Sequence, residues 1–569
     1  MPDNMEDILT EFKRFSRKVE IVKAVDAIAE ILKQEGMKFV SCFPPNALIN
    51  ASADAGIRTI LARQERVAVN IADGYTRVST EPGVALVAGG VGIENAFPGL
   101  SQAFADLVPM LLFTDQSARR KIGSRPIQDF DALFVLHKVT KWVERINFAD
   151  RVPELMRRAY TYLRSGRPSP VVLELPRDVA DEDFDDDLLD YKPVKGWKTA
   201  GDPHDIKVAV RALLSAKNPL IYAGEGVFYA RASDELREFA ELIQAPVMTT
   251  LKGKSVFPED HPLSVGNAGR SGGKPAAHFL RKADLVFAIG ASLTKGLSNI
   301  VIGAPIPKGK IIIQSTVDEQ DINKDYRVDC AIIGDAKLVL RQMTDDAQKK
   351  RASRSSQRRD DLIEEIKFVK GEWLDEWMPK LTSNEVPINP YRVVWDLMHT
   401  VDRGNTIVTH DSGCPRDHMA AFYEAIIPRG YLGWGHHSTL GYSLGGSMGA
   451  KLAEPDKMVV NVMGDAAFGM VGMDFETAVR EKIPIVTIVL NNYGMGTYFK
   501  ATPSTSKLSG DYAKIGEALG GYSERIEEPD EIAPAIKRAE KSSRAGKPAL
   551  LEIITKVELD FQTRYWTDM

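Results

Sequence analysis

The sequence predicts an α/β protein of three domains, each a mostly parallel sheet flanked by helices. Three observations predict it. Short runs of β-branched and aliphatic residues alternate with helix-length segments along the chain. Several runs end in Gly, Asp, Ser or Asn, residues that turn a buried parallel strand into its next loop. The 569 residues are also too many for one core; at roughly 150 residues per domain they make about three or four domains.

In chain order the strand runs are "GVALVAG" (83–89) and "VPMLLFT" (108–114), then "NPLIYAG" (218–224), "ADLVFAIG" (283–290) and "KIIIQST" (310–316), then "NTIVTH" (405–410), "KMVVNVMG" (457–464) and "IPIVTIVLNN" (483–492). Two polar stretches interrupt them. Residues 177–205 are acidic and contain Pro and Gly; residues 344–390 are highly charged around a helix-like centre. They set a first domain over 18–182, a central nucleotide-fold domain over 200–343, a third domain over 385–556 and a tail over 557–569. "GRPSPVVLEL" (166–175) and "GKPALLEI" (546–553) echo each other, a Gly-basic-Pro turn leading into a strand that carries a Glu. The echo is either coincidence or a sign that the first and third segments share a fold and pack together.

Composition bounds the function. Hydrophobic residues make up 44% and charged residues 27%, the ordinary balance of a soluble globular protein. A net charge of −5 gives no footprint for nucleic acid or an anionic membrane. No stretch reaches about 18 uninterrupted apolar residues, so no spanning helix is expected. The opening "MPDNMEDILTEFKRFSRKVE" lacks the apolar core of a signal peptide. Cys42, Cys330 and Cys414 are too widely spaced for a disulfide framework, which points to the cytoplasm.

The sharpest chemical signal is "GDAAFGMVGMDFETAVREKIPIVTIVLNN" (464–492). Parallel sheets bind ligands beyond the carboxyl ends of their strands. Asp465 and Asn492 each lie just past an apolar run, 27 residues apart, which is one strand–helix–strand crossover. A carboxylate, a side-chain carbonyl and a nearby backbone carbonyl are hard oxygen ligands suited to Mg²⁺ that also takes phosphate oxygens. Gly464, Ala466 and Ala467 leave backbone N–H groups open at a helix start, where they can cradle phosphate. The competing reading makes Asp465 a helix cap and Asn491-Asn492 a turn. The spacing, the small residues and the double Asn together favour a metal–diphosphate site.

With these residues in place, the sequence resembles the thiamine-diphosphate (ThDP) enzymes of the acetolactate synthase, pyruvate oxidase and 2-hydroxyacyl-CoA lyase group, whose signature is Gly-Asp-x, a crossover, then Asn-Asn. The resemblance covers nearly the whole chain. It implies pyrimidine-binding, central and diphosphate-binding domains, with Asp465, Asn492 and the backbone carbonyl of Gly494 as Mg²⁺ ligands and Met495 beside the cofactor. "RQERVAVNIADGYTRVS" (63–79) resembles the segment carrying the catalytic Glu, here Glu65. A buried Glu against the aminopyrimidine ring favours the imino tautomer that deprotonates the thiazolium. "GGVGIENAFPGLSQAFADLVPMLLFTDQ" (89–116) implies a turn at Gly90, Gly92 and Asn95, and Gln116 facing the thiazolium. Pro45 is implied as a further cofactor contact. "THDSGCP" (409–415) resembles the loop that meets the diphosphate through Ser412, Gly413 and Cys414. "GHHSTLGYSLGGSMGA" (435–450) implies Leu440 as the wedge beneath the bent cofactor, with Ser438 beside it and His436 and His437 in catalytic or substrate roles. In this group the two halves of each site come from different chains, so a homodimer or homotetramer is expected.

The substrate divides two readings. "GDAAFGMVGMDFET" is similar to a segment of the coenzyme-A-dependent lyases, and a 2-hydroxyacyl-CoA lyase is the first expectation. The alternative is an acetolactate synthase-like carboligase or 2-oxo acid decarboxylase, which "GRPSPVVLELPRDV" and "VTKWVERI" (139–146) resemble. "AIGASLTKG" (288–296) stands where FAD-binding members carry Arg-Phe-Asp-Asp-Arg, so FAD is not expected, and ADP or CoA is the candidate ligand of the central domain. A protein that binds the cofactor without catalysis would have lost Glu65 or Asp465; both are present. The tail "TKVELDFQTRYWTDM" (555–569) holds Phe561, Tyr565 and Trp566, costly to leave in water. They pack either on the tail's own domain or as a lid that offers Arg564 to a coenzyme A phosphate.

Overall fold

The computed structural model describes residues 21–185, 191–295, 303–351, 360–496 and 503–567. The expected start of the first domain at residue 18 lies outside them, as do parts of both polar connections, Gly296 of the central motif and the last two residues of the tail.

The chain builds three six-stranded sheets. The first holds β1 (Phe39–Cys42), β2 (Arg58–Leu61), β3 (Val84–Val87), β4 (Leu111–Gln116), β5 (Trp142–Arg145) and β6 (Val171–Pro176), in spatial order β2-β1-β3-β4-β6-β5. The central sheet holds β7 (Pro219–Ala223), β8 (Val247–Thr249), β9 (Ser264–Asn267), β10 (Leu285–Ile289), β11 (Ile311–Thr316) and β12 (Cys330–Ile333), in order β9-β8-β7-β10-β11-β12. The third holds β13 (Thr406–His410), β14 (Tyr431–Leu432), β15 (Met458–Gly464), β16 (Val486–Asn491), β17 (Tyr522–Ile526) and β18 (Ala549–Ile554), in order β14-β13-β15-β16-β18-β17. Every pairing in these sheets is parallel. Helices cover both faces, which is why β3, β4, β6 and β16 are buried along their whole length and read as unbroken apolar runs.

The first and third sheets have the same strand order, so the echo between their last strands is a shared fold. Its Glu residues occupy equivalent places. Glu174 on β6 pairs in register with Thr114, two residues before Gln116, and Glu552 on β18 pairs with Val489, two residues before Asn491. In each domain the carboxamide at the strand end donates to that Glu, Gln116 to Glu174 at 3.0 Å and Asn491 to Glu552 at 2.7 Å.

These two domains also pack together. Helix α1 (Glu65–Ser79) of the first crosses a helix of the third, Tyr442–Ala453, with glycines at the crossing. A Cβ at Gly74 would lie 2.2 Å from the Gly446 carbonyl oxygen, and one at Gly449 would lie 2.1 Å from that of Ile71, so only glycine lets the backbones meet.

The tail is a strap. After β18 it runs across the long helix Asp360–Leu381 to the central domain, where Trp566 is buried in the central core and donates to the Gly272 carbonyl at 2.7 Å. Trp373 and Trp377 of that helix donate to Gln562 and to the Tyr565 hydroxyl, and Arg564 pairs with Glu376 at 2.8 Å. Trp566 and Tyr565 therefore pack against the central core, Phe561 lies between His418 of the third domain and Arg270 of the central one, and Arg564 is engaged by Glu376 of the long helix.

Candidate active site

The third domain collects its candidate residues at the carboxyl edge of its sheet. β15 ends at Gly464, and Asp465 opens the helix Asp465–Val471. Asp465 is almost wholly buried; its carboxylate accepts from the backbone N–H groups of Ala466 (2.8 Å) and Gly494 (2.9 Å). Burial pushes it up to about 6, and those backbone donors only partly offset the push. Asn492 follows β16, and its side-chain carbonyl oxygen is buried with no hydrogen-bond partner among the described residues. A Cβ at Gly494 would lie 2.4 Å from the Ser506 carbonyl oxygen, and Met495 donates to that same oxygen at 2.8 Å, so Gly494 and Met495 are held against Ser506. A destabilised buried carboxylate beside an unpartnered amide oxygen is the arrangement a hard divalent cation relieves. Asp465 and Asn492 thus fit Mg²⁺, and the Gly494 N–H bond to Asp465 puts that residue at the same edge. Asn491, by contrast, is spent on Glu552 and on the backbone N–H of Tyr493.

Two further loops meet this edge. β13 leads to Asp411, Ser412 and Gly413, and Cys414 begins the helix Cys414–Phe422, with burial pushing its thiol up to about 11. A Cβ at Gly496 would lie 3.3 Å from the Cys414 sulfur and 3.8 Å from Asn492 Nδ2, which places the Cys414 turn beside the metal loop. The Ser412 and Ser438 hydroxyls are 2.6 Å apart, and Ser438 adopts a left-handed backbone with φ of 56°. Leu440 packs half-buried against the core shared by the first and third domains. His437 meets Ser101 at 2.9 Å, while burial, with Lys252 nearby, pushes His436 down to about 4, so it is neutral at pH 7.

The first domain collects the rest at the carboxyl edge of its own sheet. Glu65 opens α1 after β2 and is 3% exposed, yet no hydrogen bond reaches its carboxylate among the described residues. Pro45 and Asn95 are exposed there, and Gly90 sits at φ 59° against the backbone of Gln128. Gln116, expected to face the thiazolium, turns back into its own domain. It donates to the Phe130 carbonyl (2.8 Å) and to Glu174, and its oxygen accepts from the Ser117 N–H at 2.7 Å. No hydrogen bond or ion pair among the described residues joins Pro45, Glu65, Gly90, Asn95 or Gln116 to the Asp465 group within one chain.

Sequence reasoning missed a set of buried charged residues behind these loops: Asp411, with Ser443, and the group Asp73, Arg77 and Asp106. Arg77 pairs with Asp73 at 2.5 Å and Asp106 at 3.1 Å. Nothing in the local pattern marks them as buried: Asp411 finds its partners at Gly441 and Ser443, while Asp73 and Asp106 also bond across the domain boundary to Tyr442 and Gly435. A second crevice of about 610 Å³ lies at the carboxyl edge of the central sheet, walled by Glu225, Gly290 and Trp197, with Arg167 of the first domain pairing across it to Asp318 and Asp321.

Comparison with known proteins agrees with this geometry. Family models match three segments, each described as part of a thiamine pyrophosphate enzyme: the N-terminal TPP binding domain at residues 22–135, the central domain at 206–343 and the C-terminal TPP binding domain at 411–553. A probable acetolactate synthase large subunit of Methanocaldococcus jannaschii is 34% identical over 94% of this chain and 92% of its own length. The acetolactate synthase isozyme 3 large subunit of Escherichia coli K12 is 27% identical, covering 94% of this chain and 95% of its own length. A glyoxylate carboligase of Escherichia coli O157:H7 is 28% identical over 94% and 93%. The chain belongs to the thiamine pyrophosphate (ThDP) enzyme family, and it is an enzyme of carbon–carbon bond chemistry.

These relatives correct the first expectation for the substrate. They are named acetolactate synthases and a glyoxylate carboligase, not 2-hydroxyacyl-CoA lyases, and they give no support to ADP or CoA in the central crevice. "GDAAFGMVGMDFET" misled because much of it is packing. Ala467 and Phe468 are core, and a Cβ at Gly472 would lie 2.4 Å from the Phe468 ring. Such a segment recurs wherever that helix packs the same way, whatever the substrate.

Proposed function

We propose that the chain is a ThDP- and Mg²⁺-dependent carboligase of the acetolactate synthase type, which joins 2-oxo acids such as pyruvate, works as a homodimer or homotetramer, and resides in the cytoplasm. The observation that carries the reading is a buried Asp465 carboxylate that accepts from Gly494, two residues after the unpartnered side-chain oxygen of Asn492, in a chain similar to acetolactate synthase large subunits over nearly its whole length.

Bound here, ThDP would supply a thiazolium carbon able to hold the negative charge left when a 2-oxo acid loses CO₂. The chain's own residues do the rest. Asp465, Asn492 and the Gly494 carbonyl would hold the metal and through it the diphosphate. Gly464, Ala466 and Ala467 offer an open helix start, and Ser412, Gly413 and Cys414 form the second wall, with Met495 and Ser438 flanking. Leu440 would bend the cofactor. Glu65 would share a proton between its carboxylate oxygen and the aminopyrimidine ring, in a pocket whose burial strengthens that bond. Pro45, Gly90 and Asn95 would close the site from the first domain of a second chain, while Gln116 keeps the end of β4 aligned. His436, neutral at pH 7, can accept a proton from an incoming group, with His437 next to it.

The test incubates the purified chain with ThDP, Mg²⁺ and pyruvate. Acetolactate with one CO₂ per molecule is expected. Acetaldehyde in its place would make the chain a decarboxylase, and no turnover of any 2-oxo acid would refute the reading.

A further inference from the structure

The segment 435–441 lies in no helix or strand, yet it carries both histidines, Ser438 and Leu440. Irregular chain this central to a site must be held by something other than a backbone ladder. Two buried carboxylates from different domains hold it. On one side Asp106, at the end of the helix Val91–Ala105 in the first domain, accepts from the backbone N–H groups of Gly435 (3.3 Å) and His436 (3.1 Å). Gln102, one turn earlier, donates to Asp106 and accepts from the Thr439 N–H at 3.3 Å. On the other side Asp411, at the end of β13, accepts from the N–H groups of Gly441 (3.0 Å) and Ser443 (3.0 Å) and from the Ser443 hydroxyl (2.5 Å). The same carboxylate accepts from the Ser412 N–H at 2.8 Å, so it also fixes the turn assigned to the diphosphate. Both aspartates are fully buried.

We propose that Asp106 and Asp411 are positioning residues that clamp the 435–443 segment from two domains, and thereby set Leu440 and Ser438 in the geometry that binds the cofactor. The proposal rests on the ThDP reading above. A carboxylate accepting several backbone N–H bonds is strong where water is excluded, and each lost acceptor leaves a buried donor unpaired. The clamp also explains why an aspartate of the first domain, remote from the carboxyl edge of its sheet, is buried at the expense of its hydration. Arg77 compensates its charge, and the loop amides take its remaining lone pairs.

The test uses the full chain with Asp106→Asn, Asp411→Asn and Ser443→Ala, the last removing one hydroxyl and keeping the fold. Two quantities are read: backbone amide exchange at 435–443 in the cofactor-free protein, and ThDP affinity by calorimetry with saturating Mg²⁺. Both aspartate variants should raise exchange at 435–443 while leaving the central sheet unchanged, and should weaken ThDP binding about tenfold or more; Ser443→Ala should weaken it by a smaller factor. A residue that merely supports the fold would lower the melting temperature without moving ThDP affinity. Faster exchange with affinity within about twofold of wild type would therefore overturn the positioning role, as would unchanged exchange. Wild-type protein titrated in parallel separates the two ideas. Failure of wild type to bind ThDP refutes the cofactor reading, and normal wild-type binding with unaltered variants refutes only the clamp.

Discussion

Asp465 is held above the ordinary carboxylate range by its burial, and that sets a pH dependence whose sign can be worked out. In the unfolded chain the carboxyl ionises near pH 4; in the folded, metal-free protein it ionises at about 6. Between these values the folded state binds more protons, so metal-free stability falls as pH rises through that window, and the cost is complete above about 6. Metal binding needs the ionised form. Mg²⁺ affinity should therefore be flat above about pH 6 and fall about tenfold per unit below it. Asp465→Asn should remove both effects, leaving a metal-free protein that is more stable at pH 7 but is no longer stabilised by Mg²⁺ and ThDP. Thermal melts from pH 5 to 8 with and without ligands check this, and ligand-induced stabilisation in the variant would refute the metal role. Glu65→Gln is expected to behave differently: it keeps the shape of the side chain, so ThDP still binds. Exchange of the thiazolium C2 proton should slow, because a neutral amide cannot make the charged hydrogen bond. Exchange at the wild-type rate by NMR would remove Glu65 from the mechanism.

At the scale of elements, the long parallel strands were legible because two buried faces leave no room for alternation: "KMVVNVMG" and "IPIVTIVLNN" contain β15 and β16. The short strands were not. β14 has two residues, and β8 and β9 are closed by turns within a few residues, so no periodicity can develop. Asp465 and Asn492 could be read because each follows such a strand directly. Asp106 and Asp411 could not, since a buried aspartate and a solvated one are the same letter until the segment 435–443 that each one holds is folded against it. The tail was half legible: its aromatics predicted burial, but not that Trp566 would enter the central core while Phe561 packs on His418 of the third domain. Trp566→Ala should cost the central domain about 3–5 kcal/mol, the range for emptying a buried aromatic site. Urea unfolding followed by hydrogen exchange at the central sheet measures it. Truncation after Val557 should lower stability likewise, and it should also loosen the metal loop, because Leu559 lies beside Gly496. Unchanged central-sheet protection in both variants would mean that the strap holds nothing.

Across the whole molecule, the shared strand order of the first and third domains raises the question of which halves form one site. The equivalent of the Asp465 position in the first domain is Gly89, judged by register with the neighbouring strand, so the two domains keep one scaffold, and the first lacks the carboxylate proposed to hold the metal. Within a chain Glu65 is buried, and among the described residues no hydrogen bond or ion pair reaches its carboxylate or links it to the Asp465 loop. The surface beside it exposes Leu61, Met470 and Met473, with the Gln64 side chain donating to the Met470 carbonyl. Apolar side chains grouped around an incomplete site fit a two-fold interface in which each Glu65 serves the partner's Asp465. This arrangement predicts complementation. Glu65→Gln and Asp465→Ala are each expected to be nearly inactive alone. When the two are mixed and allowed to exchange subunits, each mixed dimer gathers both lesions into one site and leaves the other intact. Random exchange at equal amounts makes half the dimers mixed, each with one good site, so activity should recover to about a quarter of wild type. Recovery should follow the rate of subunit exchange and vanish if the dimers are cross-linked before mixing. If both residues served the same site within one chain, every site in the mixture would carry a lesion, and no recovery would appear at any ratio.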